Sequence, residues 1–163
     1  MQPADRVLFL SLRPAYADLI LSGEKTVELR RHRPRTLPGT LILVYASSPA
    51  RRVVGTCIID HIGIDTPLEI WRLYGPSTGL DHERFADYFN GIEQGVAIRV
   101  KKPQRLAAPV SLEALRAQIP AFMPPQSFRY LSWLAAGQLL GERLEQSNAA
   151  SAIEAHSMLR MPA

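Results

Sequence analysis

Residues 23–35 read GEKTVELRRHRPR and contain the end of a helix, a strand and a cluster of arginines. Gly23 is typical of a helix C-terminus, where a residue without a side chain easily adopts the left-handed conformation. The alternation of polar and apolar residues in KTVELRR predicts a β-strand. It places Lys25 on the face of Val27 and Leu29, which we interpret as the interior face. Because lysine is rarely buried, we expect Lys25 at the mouth of the core or in a pocket.

The same strand predicts an ion pair on its opposite face. Glu28 and Arg30 are two positions apart, so they share a face and can form a salt bridge. An unpaired ammonium is costly to bury, so we expect a nearby carboxylate, or main-chain carbonyls together with water, around Lys25. Regular strand geometry points Lys25 and Glu28 to opposite faces, so these two side chains would need a bulge between them to act as a pair.

Positive charge is concentrated around this stretch. The chain has 163 residues, 19 Lys and Arg against 15 Asp and Glu, and a net charge of +4. Residues 25–60 hold seven basic and two acidic residues, so the whole excess lies in this part of the chain. The seven are Lys25, Arg30, Arg31, Arg33, Arg35, Arg51 and Arg52. A localised basic patch is typical of a surface that binds phosphates, and the alternative is a solvated arginine-rich face.

Outward from this stretch, short strands are mixed with helices. Strands are predicted at 7–12, 25–31, 39–47, 51–64 and 95–106, with a bend or bulge at Gly55. Helices are predicted at 13–23, 66–74, 80–91, 111–118 and 132–146. Thr66 and Asp81 are the expected N-caps, and Glu69 is placed to reach back and complete a capping box. The segment 124–131, PPQSFRYL, is interpreted as a rigid loop.

Together these segments predict one α+β domain over residues 7–146 and a mobile tail over 147–163. The strands lack the regular rhythm of a parallel α/β sheet, so a mostly antiparallel β-barrel decorated by helices fits best. Six strand residues are expected to share one core. They are Val27, Leu29, Leu41, Leu43, Val54 and Ile58. There is no apolar run long enough for a membrane helix and no recognisable signal peptide, so we predict a cytoplasmic location.

Sequence motifs for several function classes are absent. The chain has no GxGxxG, P-loop, GxSxG or HExxH, so the common cofactor and hydrolase signatures are missing. Its four histidines lack metal-ligand spacing. Cys57, the only cysteine, alternates with apolar residues and is interpreted as a small buried hydrophobe. Neither a metal nor a cofactor is predicted.

Six segments, in order along the chain, carry a family resemblance. They are LSLRPAYADLILSGEKTVELRR, VYASSPARRVVG, LEIWRLY, FADYFNG, GVAIRV and PPQSFRYL. Together they resemble the ASCH domains of the PUA-like superfamily, in particular prokaryotic members described as predicted transcriptional regulators. The resemblance implies a β-barrel of five or six strands, with a cleft between barrel and helices that holds RNA or a modified nucleobase.

The resemblance also implies site residues. The signature lysine falls on Lys25, between Gly23 and Thr26, and the arginine that ends the strand falls on Arg30. The remaining cleft positions correspond to Tyr45, Ser47 and Ser48, and to a later loop with Pro125, Gln126, Ser127 and Phe128. Tyr45, Trp71 and Phe128 are candidates to stack a splayed base. For Trp71, helical spacing with Leu68 and Tyr74 favours a place in the core.

Three functions stay open from the sequence. The first is a module that binds RNA or a modified nucleotide, with Lys25 donating to the ligand and arginines along the backbone route. The second is a metal-independent ribonuclease or an amidohydrolase with Lys25 and Glu28 as an acid/base pair. Some ASCH proteins resemble N4-acetylcytidine amidohydrolases with a threonine three residues after the lysine, and this chain has glutamate there. The third is a transcriptional regulator or protein-interaction module, in which the C-terminal helix binds a partner or a second copy.

Overall fold

The computed structural model describes residues 5–141, which contain six β-strands and five α-helices. The strands are β1 (Arg6–Leu12), β2 (Val27–Arg30), β3 (Leu41–Ala46), β4 (Arg52–Asp65), β5 (Gly95–Ser111) and β6 (Phe128–Ser132). The helices are α1 (Pro14–Ser22), α2 (Pro67–Tyr74), α3 (His82–Tyr88), α4 (Leu112–Gln118) and α5 (Trp133–Leu140). Within the described range, no helix has the length and apolar character needed to span a membrane.

Two predicted N-caps are confirmed, whereas the capping box is wrong. The side chains of Thr66 and Asp81 each accept a hydrogen bond from the backbone N–H three residues on. Glu69 does not reach back, because its carboxylate pairs with Arg72. The Thr66 N–H instead donates to the side chain of Asp65.

All six strands belong to one sheet, in the order β2-β5-β4-β3-β1-β6. β1 and β3 pair in parallel, and every other neighbouring pair is antiparallel. The predicted α+β class is therefore confirmed. The hydrogen-bonded ladder does not close on itself, so the predicted β-barrel is not confirmed.

Hydrogen bonds of side chains connect the two edges of the sheet. In a closed barrel, backbone hydrogen bonds would connect them. Arg30, the last residue of β2, donates to the hydroxyl of Ser127, which directly precedes β6. The Arg35 N–H donates to the hydroxyl of Tyr130 in β6. The sheet thus curls until its two edges lie within reach of one side chain. We call this junction, formed by Arg30, Arg35, Ser127 and Tyr130, the seam.

Apolar side chains pack on both faces of the curled sheet. One face and α1 bury a cluster that includes Leu10, Cys57 and Ile98. The other face carries two clusters, one around Phe9 that includes residues of α4 and α5, and one around Phe85 that includes residues of α2 and α3.

The prediction of a single core is therefore wrong. Leu41, Leu43 and Ile58 belong to the Phe9 cluster, Val54 packs against the Leu10 cluster, and Val27 and Leu29 belong to the Phe85 cluster. Residues of alternate strand positions face opposite sides of the sheet, and helices cover both sides, so the apolar positions separate into different clusters.

The predicted loop at 124–131 is wrong in its second half. Residues from Phe128 onward form β6, which pairs with β1 from Phe128↔Leu10 to Ser132↔Arg6. The prolines at 124 and 125, just before this strand, led to the prediction of a loop, because proline lacks the N–H donor that a β-ladder needs. Ser132 then caps α5. The predicted end of this helix at 146 and the tail at 147–163 lie outside the described residues.

Gly55 lies where α1 approaches the sheet most closely. The register of the β4–β5 pair shifts between Val53 and Gly55, which confirms the predicted bulge. A Cβ atom at Gly55 would lie 2.4 Å from the carbonyl oxygen of Gln104 and 2.5 Å from the side chain of Leu21 in α1. Only glycine fits between this strand and this helix.

We expect Gly55→Ala to lower the free energy of unfolding by about 2 kcal/mol, because the methyl group forces backbone and helix apart. Gly137→Ala in α5 is the matched control, since a Cβ atom there has no neighbour within 4 Å. That change should stabilise the protein by about 0.5 kcal/mol, because alanine favours a helix. Urea unfolding of both variants tests the packing, and equal stability of the two would contradict it.

Candidate functional site

Lys25 is buried, with a relative exposure of 3%. α1 ends at Gly23, whose φ of +83° turns the chain into β2. The Lys25 ammonium donates to the carbonyl oxygens of Val27, at 2.8 Å, and Thr78. It also lies 3.3 Å from a carboxylate oxygen of Glu28. This is the carboxylate and carbonyl environment predicted for it, and it occupies all three donors of an ammonium.

Glu28 lies between two cations. Its second carboxylate oxygen is 2.9 Å from the Arg30 guanidinium, so the predicted Glu28–Arg30 ion pair is confirmed. The prediction that Lys25 and Glu28 point apart is wrong, because β2 begins only at Val27. Lys25 precedes the strand, so strand alternation does not fix its direction.

Arg30 is also buried and is the third charged residue of this cluster, after Lys25 and Glu28. Its guanidinium donates to the hydroxyl of Ser127 at 3.0 Å and to the carbonyl oxygen of Ser11 at 3.0 Å. Its relative exposure is 7%, so in this structure the guanidinium faces protein groups, and the contact with a nucleic-acid backbone stays a prediction. We call Lys25, Glu28, Arg30 and Ser127 the buried relay. It ends at Ser127, which is half-buried.

The parallel strands β1 and β3 end side by side, next to Ser127. The Ser11 N–H donates to the carbonyl oxygen of Ser127 at 2.9 Å, and the Ser47 N–H donates to that of Leu12 at 2.8 Å. The Leu112 N–H at the start of α4 donates to the carbonyl oxygen of Arg51 at 2.9 Å. We call this region the strand-end surface. It comprises Ser47, Ser48, Arg51, Arg52, Ser111, Arg116 and Ser127.

Two predicted arginines are exposed at this surface, Arg51 and Arg52. Arg51 has a φ of +51°, a left-handed conformation that is uncommon for residues other than glycine. Such conformations occur often at functional sites. Ser48 is exposed beside them and Ser47 is half-buried.

A depression of about 350 Å³ opens at the strand-end surface. Arg51 and Arg116 line it together with Ser111, Leu112 and Glu113. The Arg116 guanidinium is anchored by a hydrogen bond from its Nε to the carbonyl oxygen of Phe122, at 3.1 Å. We call this the arginine pocket, and two guanidinium groups make it suitable for an anion.

Tyr45 is buried near the end of β3, with a relative exposure of 2%. Its ring is 5.3 Å from that of Phe9, so in this structure it packs in the core, and the base stacking expected from the sequence stays a prediction. Burial raises the pKa of the Tyr45 hydroxyl, and the positive charges of Arg51 and Arg116 offset part of that rise. Because the pKa is raised overall, the hydroxyl stays protonated at neutral pH.

Three further arginines extend from the buried relay along the seam. Arg31, Arg33 and Arg35 are exposed. Arg31 lies 5.1 Å over the ring of Tyr88 and donates to its carbonyl oxygen. We call these three arginines the basic loop, and they lie on the surface as predicted.

The remaining predicted site residues lie beside β6. Gln126 is exposed and Phe128 is half-buried, 5.9 Å from the ring of Tyr130. Trp71 packs against Phe85 in the core, as predicted, although Leu68 is 75% exposed and does not share that packing.

Sequence reasoning missed three parts of the site. Arg116 lies on a helix that carried no motif, and only the backbone contact between Arg51 and Leu112 brings it to the strand ends. Thr78 reaches Lys25 from 53 residues away. Ser11 pairs with Tyr45 in the β1–β3 ladder, but in the sequence it lies within an apolar strand and gives no sign of a place in the site. Only long-range pairing identifies these residues.

Cys57 is buried, and its thiol pKa is raised well above the ordinary range, chiefly by burial and further by the charge of Glu28. It therefore stays a neutral hydrophobe. Within residues 5–141, no group of three or more His, Cys, Asp and Glu side chains is placed to hold a metal ion.

Comparisons with known proteins place this geometry in a family. The model of the ASCH domain matches residues 10–104. A protein of Zymomonas mobilis named "ASCH domain-containing ribonuclease" is 33% identical over 132 residues, which is 81% of this chain and 86% of the relative.

Solved structures agree with the sequence comparison. The crystal structure of ASCH from Zymomonas mobilis has a TM-score of 0.78 and 32% identity, and the match covers 82% of this chain and 92% of that one. A serine-to-alanine mutant of the same protein gives a TM-score of 0.80 at 30% identity, covering 85% and 96%. A tyrosine-to-phenylalanine mutant gives 0.78 at 31% identity, covering 82% and 95%.

The burial of Arg30 separates it from its neighbours in the basic cluster. We expect Arg30→Ala to lower the free energy of unfolding by about 3 kcal/mol, because it removes one partner from a buried ion pair. Arg33→Ala, an exposed arginine three residues later, should stay within about 0.5 kcal/mol of the parent. Urea unfolding measures the stability of the two variants. An unchanged free energy of unfolding for Arg30→Ala would mean that the relay contributes no stability.

Proposed function

This chain belongs to the ASCH domain family, and we propose that it binds single-stranded RNA at the strand-end surface and cleaves it there. The observation that carries the proposal is the arginine pocket, whose two guanidinium groups also act electrostatically on the buried Tyr45 hydroxyl. The relative named a ribonuclease supports RNA as the substrate.

Binding begins with the phosphates. Arg51 and Arg116 hold one phosphate in the pocket, since a guanidinium group can donate two parallel hydrogen bonds to it. Ser127 lies opposite Ser11, and Ser11 lies opposite Tyr45 across the sheet. Two strand spacings therefore separate Ser127 from Tyr45, or about 10 Å. We infer that Ser127 contacts an adjacent nucleotide, and that the basic loop holds the strand beyond it.

Cleavage uses the 2′-hydroxyl that distinguishes RNA from DNA. The 2′-oxygen loses its proton to solvent and attacks the adjacent phosphorus, and the bond from phosphorus to the 5′-oxygen breaks. Arg51 and Arg116 stabilise the negative charge that develops on the phosphate oxygens. The Tyr45 hydroxyl, kept protonated by burial, donates its proton to the leaving 5′-oxygen and regains one from solvent. The products are a 2′,3′-cyclic phosphate and a 5′-hydroxyl.

Lys25 and Glu28 do not take the acid/base role in this proposal. They meet at 3.3 Å, as that role requires. Every Lys25 donor already has a protein acceptor, and the Glu28 carboxylate is held between Lys25 and Arg30. The same occupied donors argue against direct donation from Lys25 to a ligand.

We expect Arg51→Ala and Tyr45→Phe each to lower the rate of RNA cleavage about 100-fold, because each removes a group that stabilises the transition state. Arg84→Ala is the control, since it removes an exposed arginine from α3, far from the pocket in the fold. Cleavage of a labelled oligonucleotide, with and without a chelator, measures the rates. An unchanged rate in both variants, or equal cleavage of the 2′-deoxy strand, would contradict the mechanism.

The basic loop generates a separate prediction about binding. Replacing Arg31, Arg33 and Arg35 together by alanine should weaken binding of a non-cleavable RNA strand and flatten its salt dependence. The slope of log affinity against log salt should fall by about 2, because each phosphate that an arginine neutralises on a single strand contributes roughly 0.7. The same titration on Arg84→Ala gives the effect of removing one positive charge outside the basic loop, against which the loss of three is compared. Identical slopes in the two variants would leave the loop as a solvated surface.

A further inference from the structure

We infer that Lys25 acts on the reaction at a distance, as a positioning residue that orients the Ser127 hydroxyl through Glu28 and Arg30. This inference rests on the proposed function. It replaces direct contact between Lys25 and the ligand by three successive contacts, Lys25–Glu28, Glu28–Arg30 and Arg30–Ser127, of which the last is part-buried.

Each hydrogen-bond donor of the Lys25 ammonium already has an acceptor within the protein. Its ammonium has three donors, and their acceptors are the Val27 and Thr78 carbonyl oxygens and the Glu28 carboxylate. A ligand would have to displace one of them inside a site with 3% exposure. Lys25 therefore holds Glu28 in place and offers nothing to solvent.

The Glu28 carboxylate, held by Lys25, in turn orients the Arg30 guanidinium. One carboxylate oxygen faces Lys25 and the other faces the Arg30 guanidinium, at 3.3 Å and 2.9 Å. A carboxylate anchored on one side fixes the plane of a guanidinium on the other, because the hydrogen bonds between them are directional. Without Lys25, Glu28 would lose this anchor, and Arg30 would be held only by its contacts with Ser11 and Ser127.

Arg30 determines how the Ser127 hydroxyl can bind. Its Nη1 donates to the Ser127 oxygen at 3.0 Å, so that oxygen already accepts a hydrogen bond. The hydroxyl proton must then point away from Arg30. Because Ser127 is half-buried at the strand-end surface, the proton is available to an acceptor on the bound strand.

The charges of the relay favour an anionic acceptor. Two cations and one carboxylate leave an excess of one positive charge below Ser127. The Arg30 Nε is also buried and has no hydrogen-bond acceptor within the described residues. A phosphate oxygen accepting from Ser127 would be stabilised by this field, whereas a cation would be repelled. The structure thus assigns Ser127 to a phosphate oxygen.

A double-mutant cycle tests the relay. Lys25→Met and Ser127→Ala should each lower kcat for RNA cleavage about tenfold with little change in KM, and the double variant should lose no more than Ser127→Ala alone. Lys101→Met is the control, because Lys101 of β5 pairs with Asp60 of β4, outside the relay. Its effect should be small and should multiply with that of Ser127→Ala. Losses for Lys25→Met and Ser127→Ala that multiply would overturn the relay.

A second readout does not depend on RNA. In protein with ¹⁵N-labelled arginine, the side-chain NMR signals of Arg30 should shift in Lys25→Met and in Ser127→Ala, and stay in place in Lys101→Met. Glu28→Gln replaces Lys25→Met should that variant not fold, since it keeps the size of the side chain and removes its charge. Unshifted Arg30 signals would overturn the relay even where RNA is cleaved. Shifted signals without any RNA binding or cleavage would instead refute the proposed function.

Discussion

The buried carboxylate of Glu28 is the contact on which the seam and the strand-end surface depend. Two buried cations approach it from opposite sides, and without it both charges would be buried with no carboxylate beside them. Through Arg30 this carboxylate also connects the first edge strand of the sheet to the segment before the last one. The ion triad thus helps to hold the two edges of the sheet together and to position the Ser127 side chain.

The same triad explains why neighbouring arginines differ in role. Arg30 is the last residue of β2 and points into the curled sheet, whereas Arg31 is the first residue beyond the strand and is exposed. In the proposed function, the exposed arginines supply affinity for RNA and the buried Arg30 positions Ser127. The boundary between the two roles is the end of a four-residue strand.

Local sequence predicted the helix N-caps, the bulge at Gly55, the Glu28–Arg30 pair and the exposed basic residues. Each of these depends on residues close together in the chain. It did not predict β6, whose pairing with β1 is long-range, nor the burial of Tyr45 against Phe9. Lys25 illustrates the limit: its need for a carboxylate follows from its charge, but its direction depends on where β2 begins, and alternation alone does not fix that.

The parallel pairing of β1 and β3 has a consequence for the order of folding. β3 and β4 are joined by residues 47–51 and pair as an antiparallel hairpin, so the half of the strand-end surface with Tyr45, Arg51 and Arg52 rests on local contacts. β1 reaches β3 only after residues 13–40 have docked as a crossover, and β6 joins from much later in the chain. The half with Arg30 and Ser127 must therefore assemble late. A newly synthesised chain would carry the phosphate-binding arginines of the hairpin before it has an aligned site, so we expect it to bind RNA weakly before it can act on it.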